Sequence, residues 1–260
     1  MRGRLAFAGL TLATAAVSAQ PADPAGATDV PALVRQGQCA AAVRALNEQL
    51  KTPTDRLLVF AGAIHEIGAC VKRDWSRAES FYLQAARMDS ASARLRLTAA
   101  YADRSHGPDL GASLWWAHEA ALPRPEACVV PRFSPTMEPE AFVKAIESWG
   151  LPRVRACAYV GAVVAGTMAD VLDADAAVGP ATTVRMSYEP GEGRFVARRI
   201  EGERSVEERR WRLGDAPDAA ADRLGQLRRS ALAAAKRYAA PAGIDPAWRV
   251  DLEWQFDGAK

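Results

Sequence analysis

The chain has 260 residues, 49% of them hydrophobic and 7% aromatic, with 33 Lys+Arg against 31 Asp+Glu. This composition excludes collagen, a largely disordered chain, a polytopic membrane protein and a strongly basic nucleic-acid binder, and it is long enough for one large domain or two small ones. The basic residues divide into 28 Arg and 5 Lys, a bias that with the abundant Ala reads as a GC-rich genome.

Met1 to Ala19 reads as a secretory signal peptide. Arg2 and Arg4 form the charged start, Leu5 to Val17 is apolar and uncharged, and Val17-Ser18-Ala19 offers small residues to a signal peptidase. The apolar stretch is about 13 residues, short of the roughly 20 that a membrane span needs. Removing residues 1–19 takes away two arginines and no acids, so the formal charge falls from +2 to zero. The expected product is periplasmic or secreted, with no transmembrane segment after cleavage and no electrostatic case for nucleic acid or anionic lipid as its partner. Residues 20–30, rich in Pro, Ala, Gly and Asp, read as a flexible leader.

Cys39, Cys70, Cys128 and Cys157 form an even set, which in an oxidising compartment favours disulfides. No Cys-x-x-Cys is present, and the spacings of 31, 58 and 29 do not suit a zinc site. Four cysteines allow three connectivities. Cys39–Cys70 with Cys128–Cys157 is preferred because each pair lies within one predicted region, and a link from Cys39 to Cys128 or Cys157 stays open.

Residues 31–121 contain an internal repeat. Ala61 to Gly68 aligns with Leu97 to Arg104 at an offset of 36, and Ala78, Phe81, Tyr82 and Ala86 align with Ala112, Trp115, Trp116 and Ala120 at 34. An earlier half-repeat runs from Gly37 to Leu50. Leu57, Phe60, Ala61, Ile64 and Ile67 fall at helical spacing on one face, as do Ala78, Phe81, Tyr82 and Ala85. Gly62, Gly68, Asp74, Ala78, Phe81, Tyr82, Ala85 and Ala86 resemble the Sel-1-like repeat, a tetratricopeptide relative, over about residues 37–121. His65 takes the slot usually given to Tyr. In the second copy Thr98 and Arg104 replace the glycines, and Pro108 falls where the loop Asp belongs. The resemblance implies a short α-solenoid of helix hairpins used for protein–protein contact.

Residues 122–152 read as a linker, with Pro123, Pro125, Pro131 and Pro135, followed by a capping helix in which Phe142, Val143, Ile146 and Trp149 share helical spacing. Residues 153–260 are expected to form an α/β domain, and residues 153–178 fit a buried strand or a buried helix equally well. From residue 182 the period becomes two. Val184, Met186 and Tyr188 alternate with polar residues, Pro190 to Gly193 makes a turn, and Arg194 to Ile200 makes a second strand. A long charged insert, Glu201 to Leu213, precedes a helix with the stripe Ala220, Leu224, Leu227, Ala231, Ala234 and Tyr238. In the last strand Trp248, Val250, Leu252, Trp254 and Phe256 point one way. The predicted class is therefore α+β, an α-solenoid followed by a ββαβ core at 182–257. Val184 to Gly202, the helix end at Ala231, Leu232, Arg237, Tyr238 and Pro241, and Val250 to Phe256 resemble the carboxy-terminal domain of TonB-family energy transducers. That resemblance implies capture of a receptor peptide by strand addition.

No catalytic set emerges. His65 reads as a packing residue, His118 as a solvated surface residue and His106 as part of a turn. There is no HExxH, GxSxG or Ser-x-x-Lys, so no metal, cofactor or catalytic residue is expected. Asp170, Asp173 and Asp175 read as a solvated loop. Arg228-Arg229 and Lys236-Arg237 read as a solvated face, and Trp115-Trp116 as core for at least one ring. If Val250 to Phe256 is a sheet edge, its backbone can accept an extended peptide, which makes Trp248, Val250, Leu252, Trp254 and Phe256 the candidate partner-binding residues. The reading that follows is an exported bacterial envelope protein acting as a non-catalytic protein–protein adaptor for an unidentified envelope protein or peptide. The alternatives are a TonB-like module that binds outer-membrane receptor peptides and a cell-wall or β-lactam-acting enzyme.

Overall fold

Four of the helices in the first half begin where a short polar side chain satisfies a free backbone donor. The computed structural model describes residues 29–173, 182–216 and 222–256. The expected signal peptide, most of the leader, Asp175 and Ala220 lie outside the described residues. Asp29 caps α1 (Val30–Arg35), which pairs with α2 (Cys39–Gln49). The Thr54 hydroxyl accepts from the Leu57 N–H at 3.2 Å to start α3 (Asp55–Ile67), and Gly68, at φ 81°, ends it in the left-handed region. Asp74 accepts from the Arg77 N–H at 3.0 Å to start α4 (Trp75–Arg87). The next pair is α5 (Ala91–Tyr101) and α6 (Leu110–Glu119), the latter capped by Asp109, which accepts from the Ala112 N–H at 2.9 Å.

The hairpins α3–α4 and α5–α6 are closed by the same backbone bond. The Asp74 N–H donates to the His65 carbonyl and the Asp109 N–H to the Tyr101 carbonyl, each at 2.9 Å. This equivalence corrects the expected register of the second copy. Asp109, one residue after Pro108, is the capping acid, so α4 and α6 align at an offset of 35 (Asp74 to Asp109) and the loop is one residue shorter, not two. Buried Ala78 and Tyr82 then correspond to Ser113 and Ala117, both buried as well.

The corrected register also explains the missing glycine. A Cβ on Gly62 would lie 2.5 Å from the Tyr82 ring. In the second hairpin Thr98 takes the place of Gly62 and Ala117 that of Tyr82, so the volume moves from one helix to the other. Thr98 is fully buried, and its hydroxyl donates to the Arg94 carbonyl at 2.9 Å. A further correction concerns Ile67, which is 70% exposed. Because α3 lies inside the stack it buries two faces, with Leu58 and Val59 in the α3–α4–α5 core and Ala61 and Ile64 in the core shared with α1 and α2.

After a 3₁₀ turn at Glu126–Cys128 comes α7 (Pro139–Glu147), which buries Phe142 and Ile146 but leaves Val143 exposed, against the expected common face. The segment left open between strand and helix is α8 (Gly150–Asp173). It is long and apolar enough to cross a bilayer by length and composition, yet most of that stretch is buried. It packs against α5 and α6, and against α9 (Arg223–Arg237). A helix enclosed by neighbours is apolar all round, which is why it lacked a readable period.

The second half is a four-stranded antiparallel sheet of β1 (Thr182–Glu189), β2 (Arg194–Glu201), β3 (Arg204–Arg212) and β4 (Val250–Phe256), in the order β3-β2-β1-β4. The order along the chain is therefore βββαβ, which corrects the expected ββαβ core: the charged insert is β3. That strand sits at an edge and has one inward apolar side chain, Trp211, so it carries no apolar alternation to read. The inner face stacks Tyr188 on Phe195 (4.3 Å) and Phe195 on Trp211 (5.7 Å). One core runs without a break from Leu95 and Ala99 on α5, through α8 and α9, to Leu252 and Trp254 on β4. The overall class is α+β, with the helices first and the sheet last.

Two disulfides join Cys39 to Cys70 and Cys128 to Cys157, with Cα separations of 4.8 and 5.4 Å. This is the preferred pairing. Each bond closes a local loop, the first tying the start of α2 to the turn after α3, and the second tying the 3₁₀ turn to α8.

Replacing a helix-interior glycine by alanine ordinarily stabilises a helix by up to about 1 kcal/mol. Gly62→Ala reverses the sign here, because the methyl group meets the buried Tyr82 ring. A loss of about 1–3 kcal/mol is expected, read as a lower urea midpoint at unchanged slope.

Candidate functional site

The predicted partner strand, β4, is an edge of the sheet: it pairs with β1 on one side, and among the described residues no strand lies on the other. Its apolar side chains are not surface features. Val250, Leu252 and Trp254 are buried in the main core and Trp248 is partly buried against it, while the Phe256 side chain lies outside the described residues. What β4 presents outward is therefore its unpaired backbone edge and the side chains of Asp251, Glu253 and Gln255.

The solvent face of the sheet is organised as rows of charge. Glu253, Arg185, Arg198 and Glu208 stand side by side across all four strands. Arg185 donates to Glu253 at 2.6 Å, and Arg198 to Glu208 at 2.5 Å. In the next row the Ser187 hydroxyl donates to Asp251 at 2.5 Å and accepts from Arg249 at 2.8 Å. All of these groups except Glu208 line a shallow trough of about 300 Å³ between β4, β1 and β2. Such an array can hold a polar chain against the sheet.

A second polar cluster joins the helices to α9. Arg237 donates to Glu66 on α3 and to Asp103 after α5. Glu66 is only 4% exposed, and its other oxygen accepts from the Tyr82 hydroxyl at 2.7 Å. Asp103 also accepts from the Ser105 N–H at 2.8 Å. Burial would raise the Asp103 carboxyl, but the Ser105 N–H and Arg237 outweigh it and hold the group below its usual range. Beside the cluster lies a cavity of about 120 Å³ lined by Arg96, Gly166, Asp170 and Tyr238 among others, where Arg96 and Asp170 form an ion pair at 3.2 Å. Arg237 is exposed, as the solvated-face expectation at Lys236-Arg237 has it, but its guanidinium is held by two acids of the helical stack. Arg228 likewise donates to the Ala216 carbonyl at 2.6 Å. Asp170 belongs to α8 and not to a solvated loop. The tie was invisible to motif reading because its three members lie on separate elements.

His118 is buried, which corrects its assignment to the surface. Its Nδ1–H donates to the Leu114 carbonyl at 2.8 Å and its Nε2 accepts from the Val130 N–H at 3.1 Å, which fixes the neutral tautomer. Burial, with Arg124 nearby, pushes its pKa down to about 4. His65 packs on Phe81, with ring centroids 5.7 Å apart, as expected of a packing residue. Trp115 packs against Phe133 and Phe142, and Trp116 against the α3–α4–α5 core, so neither ring forms an open platform.

Two outcomes follow. Arg237→Met leaves Glu66 and Asp103 buried without their cation, so a loss of about 3 kcal/mol is expected by urea denaturation, with part of it recovered when Glu66→Gln is added. His118 gains a proton in the unfolded chain near pH 6.5 but in the fold only near pH 4, so its contribution is complete above pH 6.5 and is lost as the pH falls towards 4. Between pH 7 and 5 this group alone should lower the unfolding free energy by about 2 kcal/mol. His118→Asn should flatten that slope.

Comparison with protein-family models, with curated proteins and with solved structures finds no significant match for this chain.

Proposed function

We propose that this chain is an exported bacterial envelope protein that works by binding, a non-catalytic adaptor in which stacked helix hairpins carry a small sheet. The observation that carries this reading is the edge position of β4, a seven-residue strand whose inner face is anchored in the core and whose outer side carries no strand among the described residues. Two disulfides in one chain suit an oxidising compartment, which agrees with export. The helical stack supplies a rigid base, because its core is continuous with that of the sheet.

Within this reading the edge favours one mode of contact, the addition of an extended peptide as a fifth strand. In an antiparallel ladder alternate residues of an edge strand direct N–H and C=O away from the existing partner, and an added strand satisfies them. This is the mode implied by the resemblance to the TonB-family domain. A photoreactive residue at Gln255 should cross-link a discrete partner in intact envelopes, whereas one at Ile67 on the helical stack should not. Absence of any adduct at Gln255, together with hydrolase activity of the purified chain on cell-wall or β-lactam substrates, would overturn the proposal.

A further inference from the structure

The two edges of the sheet differ in how their charges are satisfied, and the difference names a class of partner. On β3, Glu208 is gripped from both sides, by Arg198 on β2 at 2.5 Å and by Arg210 on its own strand at 2.7 Å. Glu207 likewise meets Arg199 at 3.4 Å and Arg209 at 2.7 Å. The same edge carries a register irregularity opposite Arg199 and Ile200, which breaks the regular ladder that an added strand needs. The β3 edge is thus neutralised from within and irregular.

The β4 edge is regular, and each of its two acids is paired with a single cation, Glu253 with Arg185 and Asp251 with Arg249. Its register with β1 is continuous from Val250 to Phe256. Glu253 accepts from Arg185 through Oε2 only, its side chain is 43% exposed, and no second cation stands on its outer side among the described residues. Asp251 is held by Arg249 and Ser187, with its carboxylate still facing solvent. Across the sheet the row therefore reads acid, base, base, acid from β4 to β3, and on the β4 side a cation would extend it. A residue of a strand added outside β4 would place its Cβ about 5 Å from that of Glu253 or Asp251, within easy reach of a Lys or Arg side chain.

We infer that the occupant of the β4 edge is an extended segment of a partner protein with basic residues at alternate positions, facing Asp251 and Glu253. This rests on the strand-addition reading and deepens it: backbone pairing supplies the docking, and the acids of β4 select the charge. Opposite charges on directly facing strand positions are modestly favourable and like charges unfavourable, so the preference is graded and weakens with salt.

The test uses the full folded chain, labelled for amide spectroscopy, and three peptides of equal length that alternate Thr with Lys, with Gln or with Glu. The expected result is shifts and exchange protection confined to alternate amides of Val250–Phe256. The Lys peptide should bind about tenfold tighter than the Gln peptide at low salt, and the Glu peptide weakest. The exposed double variant Asp251→Asn with Glu253→Gln should bring the Lys and Gln peptides to equal affinity without abolishing either. If all three peptides bind equally at β4, the charge selection is overturned and strand addition stands. If no peptide perturbs these amides, or they are already protected by self-association of the chain, strand addition falls and the inference with it.

Discussion

The guanidinium of Arg237 sits between two largely buried carboxylates, Glu66 from α3 and Asp103 from the end of α5, and through them the last helix is tied to the helical stack. Taking these charges out of water costs several kcal/mol, which the pair recovers only because almost every oxygen is used: Tyr82 fills the second oxygen of Glu66 and the Ser105 N–H fills the second of Asp103. The cluster is therefore better understood as a selector of geometry than as a source of cohesion. A helix resting on alanines can slide or rotate at small cost; one whose guanidinium must meet two fixed acids cannot. The orientation of α9, and of the sheet packed against it, follows from that constraint.

Cohesion comes from α8. It stands between α5 and α6 on one side and α9 on the other, and its Ala, Gly and Val residues allow close approach; Gly166 lies so near α9 that a Cβ there would be 3.1 Å from that of Ala234. Because one apolar core passes through this helix, the stack and the sheet behave as a single body. The Cys128–Cys157 bond adds a covalent link between α8 and the turn that precedes α7. His118 completes this region by satisfying the Val130 N–H, which would otherwise be a buried donor without a partner. A surface carried on such a base is presented in one orientation, and for a binding protein this lowers the entropy lost on association.

The sheet then offers two unlike edges. Acids and bases pair along both edges, with two cations for each of Glu207 and Glu208 on β3 and one for each of Asp251 and Glu253 on β4. Edge strands are hazards unless they are blunted. The β3 edge is blunted by its register irregularity as well, whereas the β4 ladder is regular.

Much of this architecture is legible in one dimension. Helix pairs, the turn at Pro190–Gly193 and the last strand follow from periodicity and turn chemistry, since burial of one face forces a spacing of 3.6 or 2 residues on the sequence. The cysteine pairing follows from local proximity. Other features leave no such trace. α8 is buried on every side from Ala156 to Ala165 and so lost its period; β3 has Trp211 as its one buried apolar side chain and so never had one. The one-residue slip between α4 and α6 became visible only when Asp74 and Asp109 were seen to cap equivalent ends. His118 reads as polar and exposed, yet is internal because the Leu114 carbonyl and Val130 N–H converge on it from separate segments. The Arg237 cluster gathers residues 66, 103 and 237. Local spacing encodes which face of each element is apolar, whereas partners far apart along the chain meet only through packing; that is why the sequence determined the elements and the tertiary structure decided which charges are buried and which strand is an edge.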